Sequence, residues 1–326
     1  MGGVGRWEEP YLGPYLFDEF LDLIGEAPAI EVGPTLAETL LEAVRSPIPV
    51  TWLARLRRLF SLIGGFPELL LSQEAHLEGD APDHLTPLLR SQRVLRSGAV
   101  ERAIYKDIPQ AFGVSDPFLL ERMLYVLAGQ VTKILSPSSM SKGLGLSQPT
   151  FDRYLSYLER AFIVFTLPNY SGSENAVQRR GRKLYFVDGA VRNAALQRGT
   201  APLHSLDEMG LLIENMAASH LHALAQQSQV RVYHWRKGRD EVDLIYDDPA
   251  GHLAIELGTG PSHSRQGLRA LLREHPRFAK GAWYVAPELP ARAPGEDGDP
   301  WGTLPLELFL IAVGRQAAAY LQQRLA

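Results

Sequence analysis

Three carboxylates in the last third of the chain, Glu214, Asp243 and Glu256, are spaced as an acid-based metal centre would need them. Glu214 falls on an apolar stripe of Leu211, Ala218, Leu221 and Ala225 at helical spacing. A carboxylate on such a face is costly unless a cation or donors satisfy it, so it is expected to have a partner. Asp243 sits in a run, 241–247, where Val242, Leu244 and Tyr246 share one side and Asp243 takes the other. Glu256 and Ala254 alternate in the same way with Leu253, Ile255 and Leu257. Two carboxylates on neighbouring strands and a third on an adjacent helix suit a hard divalent cation such as Mg²⁺, with Asp243 and Glu256 as its ligands. The alternative is a surface-charged sandwich whose acids do no chemistry.

Positioning these residues takes a helix, three strands over 231–235, 241–247 and 252–257, a second helix and a last strand ending near 286. Lys237-Gly238-Arg239-Asp240 and Asp248-Pro249-Ala250-Gly251 supply the turns. This αβββαβ order resembles the core of the restriction-endonuclease-like fold, whose signature is a helix Glu, a strand Asp and then Glu-x-Lys. The resemblance implies Glu214, Asp243 and Glu256 as catalytic residues, with a lysine two positions beyond the last acid to activate water. Here the tripeptide is Glu256-Leu257-Gly258, so Gly258 holds the lysine position. Losing a group that assists proton transfer costs about 10²- to 10⁴-fold in rate. Lys237 and Lys280 are the nearest lysines in sequence, and Arg265 and Arg269 are candidate substitutes. The expectation is therefore a vestigial, inactive centre with no ammonium. The alternative is a Mg²⁺-dependent DNA endonuclease with a relocated base.

Ahead of this module, the spacing predicts a helix over 118–134, a short helix over 140–144, a turn at Gly145-Leu146 and a further helix. Ser147 serves as its N-cap, with Pro149 in the first turn. Phe151, Tyr154, Leu155 and Leu158 form its apolar stripe, while Thr150, Arg153 and Tyr157 lie on another face. Two β-rich runs follow, 163–167 and 184–187. Helix, short helix, turn, helix and hairpin together describe a winged helix-turn-helix. The loop between the runs carries Arg179, Arg180, Arg182 and Lys183, four cations that with Thr150 and Arg153 suit phosphate contacts. The alternative is that these cations cover an acidic neighbour or keep a loop solvated.

The chain has 326 residues, 45% hydrophobic and 21% charged, enough for two or three units with cores of their own. The fold class expected is α+β, in four parts: 1–25, a helical segment 26–115, the winged helix 116–200 and the nuclease-like domain 201–326. Helices are expected over 35–45, 50–64, 84–97, 100–112 and 306–325, and the Pro-, Gly- and acid-rich stretch 287–303 is expected to be a loop. A net charge of -4 means that DNA or RNA binding must come from a local basic patch. There is no cysteine, which excludes disulfides and thiolate zinc sites. No apolar run reaches the length of a membrane span and no secretory leader is evident, so a cytoplasmic protein is expected. His220 and His222, two apart on a helix, point to different sides.

Several short pieces, in order, resemble a prokaryotic family of AAA-type ATPases with a helical segment, a winged helix and a C-terminal restriction-endonuclease-like domain. They are Gly5-Arg6 with Leu16-Phe17-Asp18-Glu19-Phe20, Gly64-Gly65-Phe66-Pro67-Glu68, Tyr105-Lys106-Asp107-Ile108, the run 147–159, Lys183-Leu184-Tyr185-Phe186-Val187-Asp188, Glu214 and Glu241-Val242-Asp243. Such proteins open with a phosphate loop, G-x-x-x-x-G-K-[ST], which this sequence does not contain. The chain thus resembles the part after the ATPase core, ATP entering only through an upstream domain. Arg6 then corresponds to an arginine that reaches a neighbouring subunit's nucleotide, which leaves a homo-oligomer open. The resemblance implies a nucleic-acid-binding region; a protein-interaction adaptor is the remaining reading.

Overall fold

The computed structural model describes residues 12–69, 85–171, 177 and 181–325, so Arg6, Arg179 and Arg180 lie outside the described residues. The chain is mixed α+β. Helices α1 (Phe17–Leu23), α2 (Leu36–Arg45) and α3 (Val50–Ile63) come first. Then α4 (Leu85–Leu95) runs through two π-helical stretches, Arg96–Glu101 and Ala103–Asp107, into α5 (Ile108–Phe112). Next come α6 (Pro117–Ala128), α7 (Pro137–Leu144), α8 (Gln148–Arg160), the antiparallel strands β1 (Val164–Pro168) and β2 (Arg182–Phe186), and α9 (Gly189–Ala195). The C-terminal part holds α10 (Leu206–Ser228), β3 (Val232–Lys237), β4 (Asp240–Tyr246), β5 (Leu253–Leu257), α11 (Gln266–Glu274), β6 (Ala282–Ala286), β7 (Gly302–Pro305) and α12 (Leu306–Leu325). Among the described residues no helix is long and apolar enough to cross a membrane.

The strands β3 to β7 form one sheet in sequence order, antiparallel from β3 to β5 and parallel from β5 to β7. β5 and β6 are buried at every position, which is why Ala282–Ala286 reads as an unbroken apolar run. Local signals set the helix starts. Thr35 and Glu38 close a reciprocal capping box on α2, and Ser205 accepts from the Glu208 amide at the start of α10. Between α7 and α8 the left-handed Gly145 (φ +70) turns the chain, and Ser147 caps α8 through the Thr150 amide at 3.3 Å.

Packing groups α1, α2 and α3 with α10, α12 and one face of the sheet in a single apolar core. A second core joins α4 to α9 and the β1–β2 hairpin. The other face of the sheet is covered by α11 around Trp235, Tyr284 and Trp301. The motif Gly64-Gly65 ties these parts together: Tyr15 N donates to Gly65 O at 2.7 Å, and Gly65 N donates to the Asp188 carboxylate at 2.8 Å.

Two expectations are corrected. The helix expected to reach residue 134 stops at Ala128, because the chain beyond it pairs with the free edge of β2. Thr132 N donates to Leu184 O and Leu135 N to Arg182 O, each at 2.8 Å. The stretch 287–303, expected as a loop, ends in β7, a strand too short for periodicity to reveal and supported by its parallel pairing to β6.

Helix α1 docks on α12 through an unusual contact. Asp18 is 1% exposed and its carboxyl fills the space over Gly314 that any side chain there would need. Neither Asp18 oxygen has a hydrogen-bond partner. Burial, with the neighbouring Glu19 adding to it and Arg315 opposing, pushes Asp18 up to about 7. Folded protein therefore keeps a proton that the unfolded chain gives up near pH 4, so stability falls as pH rises from about 4 to about 7 and stays level above. The upper bound on this loss is on the order of 4 kcal/mol. Asp18→Asn, which holds the neutral form, should match the wild type in urea denaturation near pH 3.5 and exceed it at pH 8. Equal stability of the two proteins at pH 8 would contradict the assignment.

Candidate functional site

The acid centre is assembled where the β1–β2 hairpin meets the edge of the five-stranded sheet. Residues following β1 extend along β3: Tyr170 N donates to His234 O at 2.6 Å, and the Asn169 side chain exchanges two 3.1 Å hydrogen bonds with the Arg236 backbone. These bonds cover the exposed edge of β3. They also hold β2 against α10 and β4. Lys183 and Tyr185 alternate with Leu184 and Phe186 along β2, so both point to the C-terminal module.

Lys183 is 3% exposed and its ammonium lies among three carboxylates. Nζ is 2.9 Å from Glu214 Oε1 and 3.2 Å from Asp243 Oδ1, and it also pairs with Glu241. The Tyr185 hydroxyl donates to Glu214 Oε1 at 2.8 Å, and Leu257 N donates to Asp243 Oδ2 at 2.9 Å. Both oxygens of Asp243 are thus engaged. Glu256, from β5, lies beside this group: His263 Nε2 stands 3.3 Å from its Oε1, and its buried Oε2 has no partner.

Burial alone would drive the Lys183 ammonium to lose its proton, but the charges of Glu214, Asp243 and Glu241 outweigh it and hold Lys183 well above the ordinary lysine range. Burial raises Glu214 to about 7, with Lys183 pulling down and Asp243 pushing up. Glu256 is pushed up to about 10, first by burial and then by Asp243, with Lys183 opposing. At neutral pH the cluster thus holds a fixed ammonium and a protonated Glu256. A lysine held charged this firmly is a counter-ion; it does not act as a proton acceptor.

The sequence places Glu214, Asp243 and Glu256 in one neighbourhood, and the structure does bring Glu214 and Asp243 onto the same ammonium, with Glu256 adjacent. The expectation that no ammonium stands near them is overturned, as is the expectation that Lys183 faces nucleic acid. It turns inward because β2 abuts the acids. Gly258 cannot carry a lysine here, since a Cβ on it would stand on the Tyr284 hydroxyl and crowd His263. Arg265 and Arg269 do not reach the acids either; each lies over an aromatic ring, Tyr284 and Trp301 respectively. The Mg²⁺ that the acids suggested does not fit: both Asp243 oxygens are used, the ammonium fills the centre, and among the described residues no group of three or more His, Asp or Glu side chains could hold a metal. Glu241, Tyr185 and Lys183 are the members sequence reasoning missed; the alternation Lys183-Leu184-Tyr185 was the signal.

Of the proposed nucleic-acid contacts, Arg153 and Arg182 are exposed. Thr150 is half-buried and its hydroxyl is 2.9 Å from Ser147 Oγ, within the α8 cap. Tyr157 is stacked on Phe112 with ring centroids 4.5 Å apart, so it packs against α5.

Removing the cation should be costly. Lys183→Met, similar in length, leaves buried carboxylates uncompensated and is expected to lower stability by about 3–5 kcal/mol in urea denaturation at pH 7.5. Lys183→Met/Asp243→Asn should lose less than the sum of its parts. A loss below about 1 kcal/mol for Lys183→Met would show that the ammonium does not hold the centre together.

Comparison with known proteins gives two family models. One, described as a domain of unknown function (DUF8612), matches residues 55–201, and the other, also a domain of unknown function (DUF4143), matches residues 209–290. The first match ends after α9 and the second begins within the first turn of α10, so the Lys183 cluster joins a cation from the first match to acids from the second. An uncharacterized protein of Haemophilus influenzae is 26% identical over 138 residues, covering 41% of this chain and 31% of its own length. The match thus spans about a third of that relative. No solved structure matches the chain.

Proposed function

We propose that this chain is a non-catalytic, nucleic-acid-binding region of an AAA-type ATPase family protein, built from a winged helix and a degenerate restriction-endonuclease-like module. The observation that carries the non-catalytic reading is the engagement of both Asp243 oxygens and of Glu214 by Lys183, Tyr185 and the Leu257 amide. An internal ammonium stands in for the divalent cation, and the acids become the mortar of a seam. The match of 209–290 to DUF4143, a domain typically found with AAA ATPases, supports the family reading. The turn at Gly145, the capped α8 and the following hairpin support a winged helix, with Arg153 and Arg182 on exposed positions as phosphate contacts.

One observation favours a second reading. An ammonium within 3.2 Å of both Glu214 and Asp243 is what an endonuclease with a lysine moved to another strand would also contain. Binding of labelled duplex DNA across a salt series, alongside plasmid nicking in Mg²⁺ and in Mn²⁺, separates the two. The proposal expects affinity to fall steeply with salt, an Arg179/Arg180/Arg182→Ala variant to bind more weakly with a shallower salt slope, and no nicking. Binding that ignores both salt and these arginines would sink the nucleic-acid reading. Metal-dependent nicking abolished by Asp243→Ala would replace it with the endonuclease.

A further inference from the structure

We infer that Arg265 and Arg269 form a binding site for a phosphate group, in a cavity on the far side of Tyr284 from the acid cluster. The cavity measures about 260 Å³ and is walled by Arg265, Arg269, Arg292, Trp301 and Thr303, with Asp299 as the acidic residue at its rim. Arg265 is the N-cap residue of α11 and Arg269 follows one turn later, so both side chains leave the helix on the same side. Each guanidinium lies over a ring. Arg265 Cζ is 4.2 Å from the Tyr284 centroid and Arg269 Cζ is 5.2 Å from that of Trp301. Stacking of this kind fixes the plane of a guanidinium while leaving its edge N–H groups free to donate.

Those donors are underused. Arg265 donates one hydrogen bond, from Nη2 to Pro261 O at 2.7 Å, and its buried Nε–H has no acceptor. Among the described residues, no carboxylate forms an ion pair with Arg265 or Arg269, whereas Arg292 across the cavity is paired with Asp297 at 2.8 Å. Two positive, preoriented forks with free donors, in a chain of net charge -4, call for an oxyanion with several acceptors; phosphate matches that geometry. A buried donor left without an acceptor is costly, and a phosphate oxygen would relieve that cost.

The position gives the site a role. On the sheet, Tyr284 is in register with Glu256 on one side and with Thr303 on the other. The acid cluster and the cavity therefore flank one strand on the same face, two strand spacings apart, roughly 10 Å. The site deepens the nucleic-acid reading by adding a contact on the C-terminal module, remote from α8 and the hairpin. The phosphate could belong to a nucleic-acid strand or to a free nucleotide.

The test uses the full chain, with calorimetry and tryptophan fluorescence as readouts. The probes are inorganic phosphate, AMP, and an oligothymidine with and without a 5′-phosphate. Arg269 is exposed, so Arg269→Gln should leave the fold intact, as circular dichroism would verify. Arg265→Gln/Arg269→Gln is expected to weaken phosphate-probe binding by about tenfold or more, and Arg269→Lys by less. Binding of phosphate and AMP assigns the site to free nucleotides. Binding of oligothymidine alone, sensitive to these arginines, assigns it to a strand. If no probe binds, or if affinity stays within about twofold on substitution, the site does not exist. Salt-sensitive oligonucleotide binding that ignores Arg265 and Arg269 would overturn this site and leave the α8 reading standing. Arginine-dependent phosphate binding without any oligonucleotide binding would do the reverse.

Discussion

A single buried ammonium holds the centre of this molecule. Lys183 arrives on the second strand of the hairpin and meets Glu214 from α10 and both Glu241 and Asp243 from β4. Taking one cation and several carboxylates out of water carries a large desolvation cost, which their attraction offsets only when every donor and acceptor is well placed. The Tyr185 hydroxyl and the Leu257 amide supply the missing donors. Such a cluster adds little net stability over an apolar seam. Once the hairpin is docked here, however, each of these charges has a partner, and removing one would leave the others buried and uncompensated.

The remaining architecture follows from that docking. With the hairpin fixed, the chain after β1 runs along β3 and closes the open edge of the sheet. Asp188, just beyond β2, then caps α9 and receives the Gly65 amide, which draws the loop after α3 onto the same seam. Asn215, one residue from Glu214, exchanges hydrogen bonds with the Phe186 backbone at 2.8 and 3.0 Å, a second fastening between α10 and β2. The short motifs that run through the sequence, Gly64-Gly65 and Lys183 to Asp188 among them, are therefore largely points where one part is fastened to another.

Much of this was legible in the sequence. The α12 span, the Ser147 cap and the alternation in β5 all come from local pattern, and local pattern is what short-range physics fixes. The three acids were legible as a group for the same reason, each lying on a definable face of its element. The role of Lys183 was not. Periodicity gives the face on which Lys183 lies, but not which element that face will meet, and a cation in an arginine-rich run looks like surface. Nor could spacing show that Gly258 is closed to any side chain by Tyr284, a residue of another strand. The edge pairing of residues 132–135 on β2 was hidden similarly, since a bridge across sequence leaves no periodic trace. In β4 a register shift against β3, which no periodicity announces, sends Val242 to the core around Trp235, away from Leu244 and Tyr246.

The central claim is that Lys183 is a permanently charged counter-ion inside the protein. Titrating the lysine side chains by NMR of protein carrying ¹³C at Cε, with the Lys183 signal assigned by its loss in Lys183→Arg, measures this directly. The account predicts that the Lys183 resonance keeps its ammonium shift through and beyond the pH range where the exposed lysines titrate. A Lys183 signal that loses its proton at or below the ordinary lysine range would contradict it, and would return the residue to the role of a base.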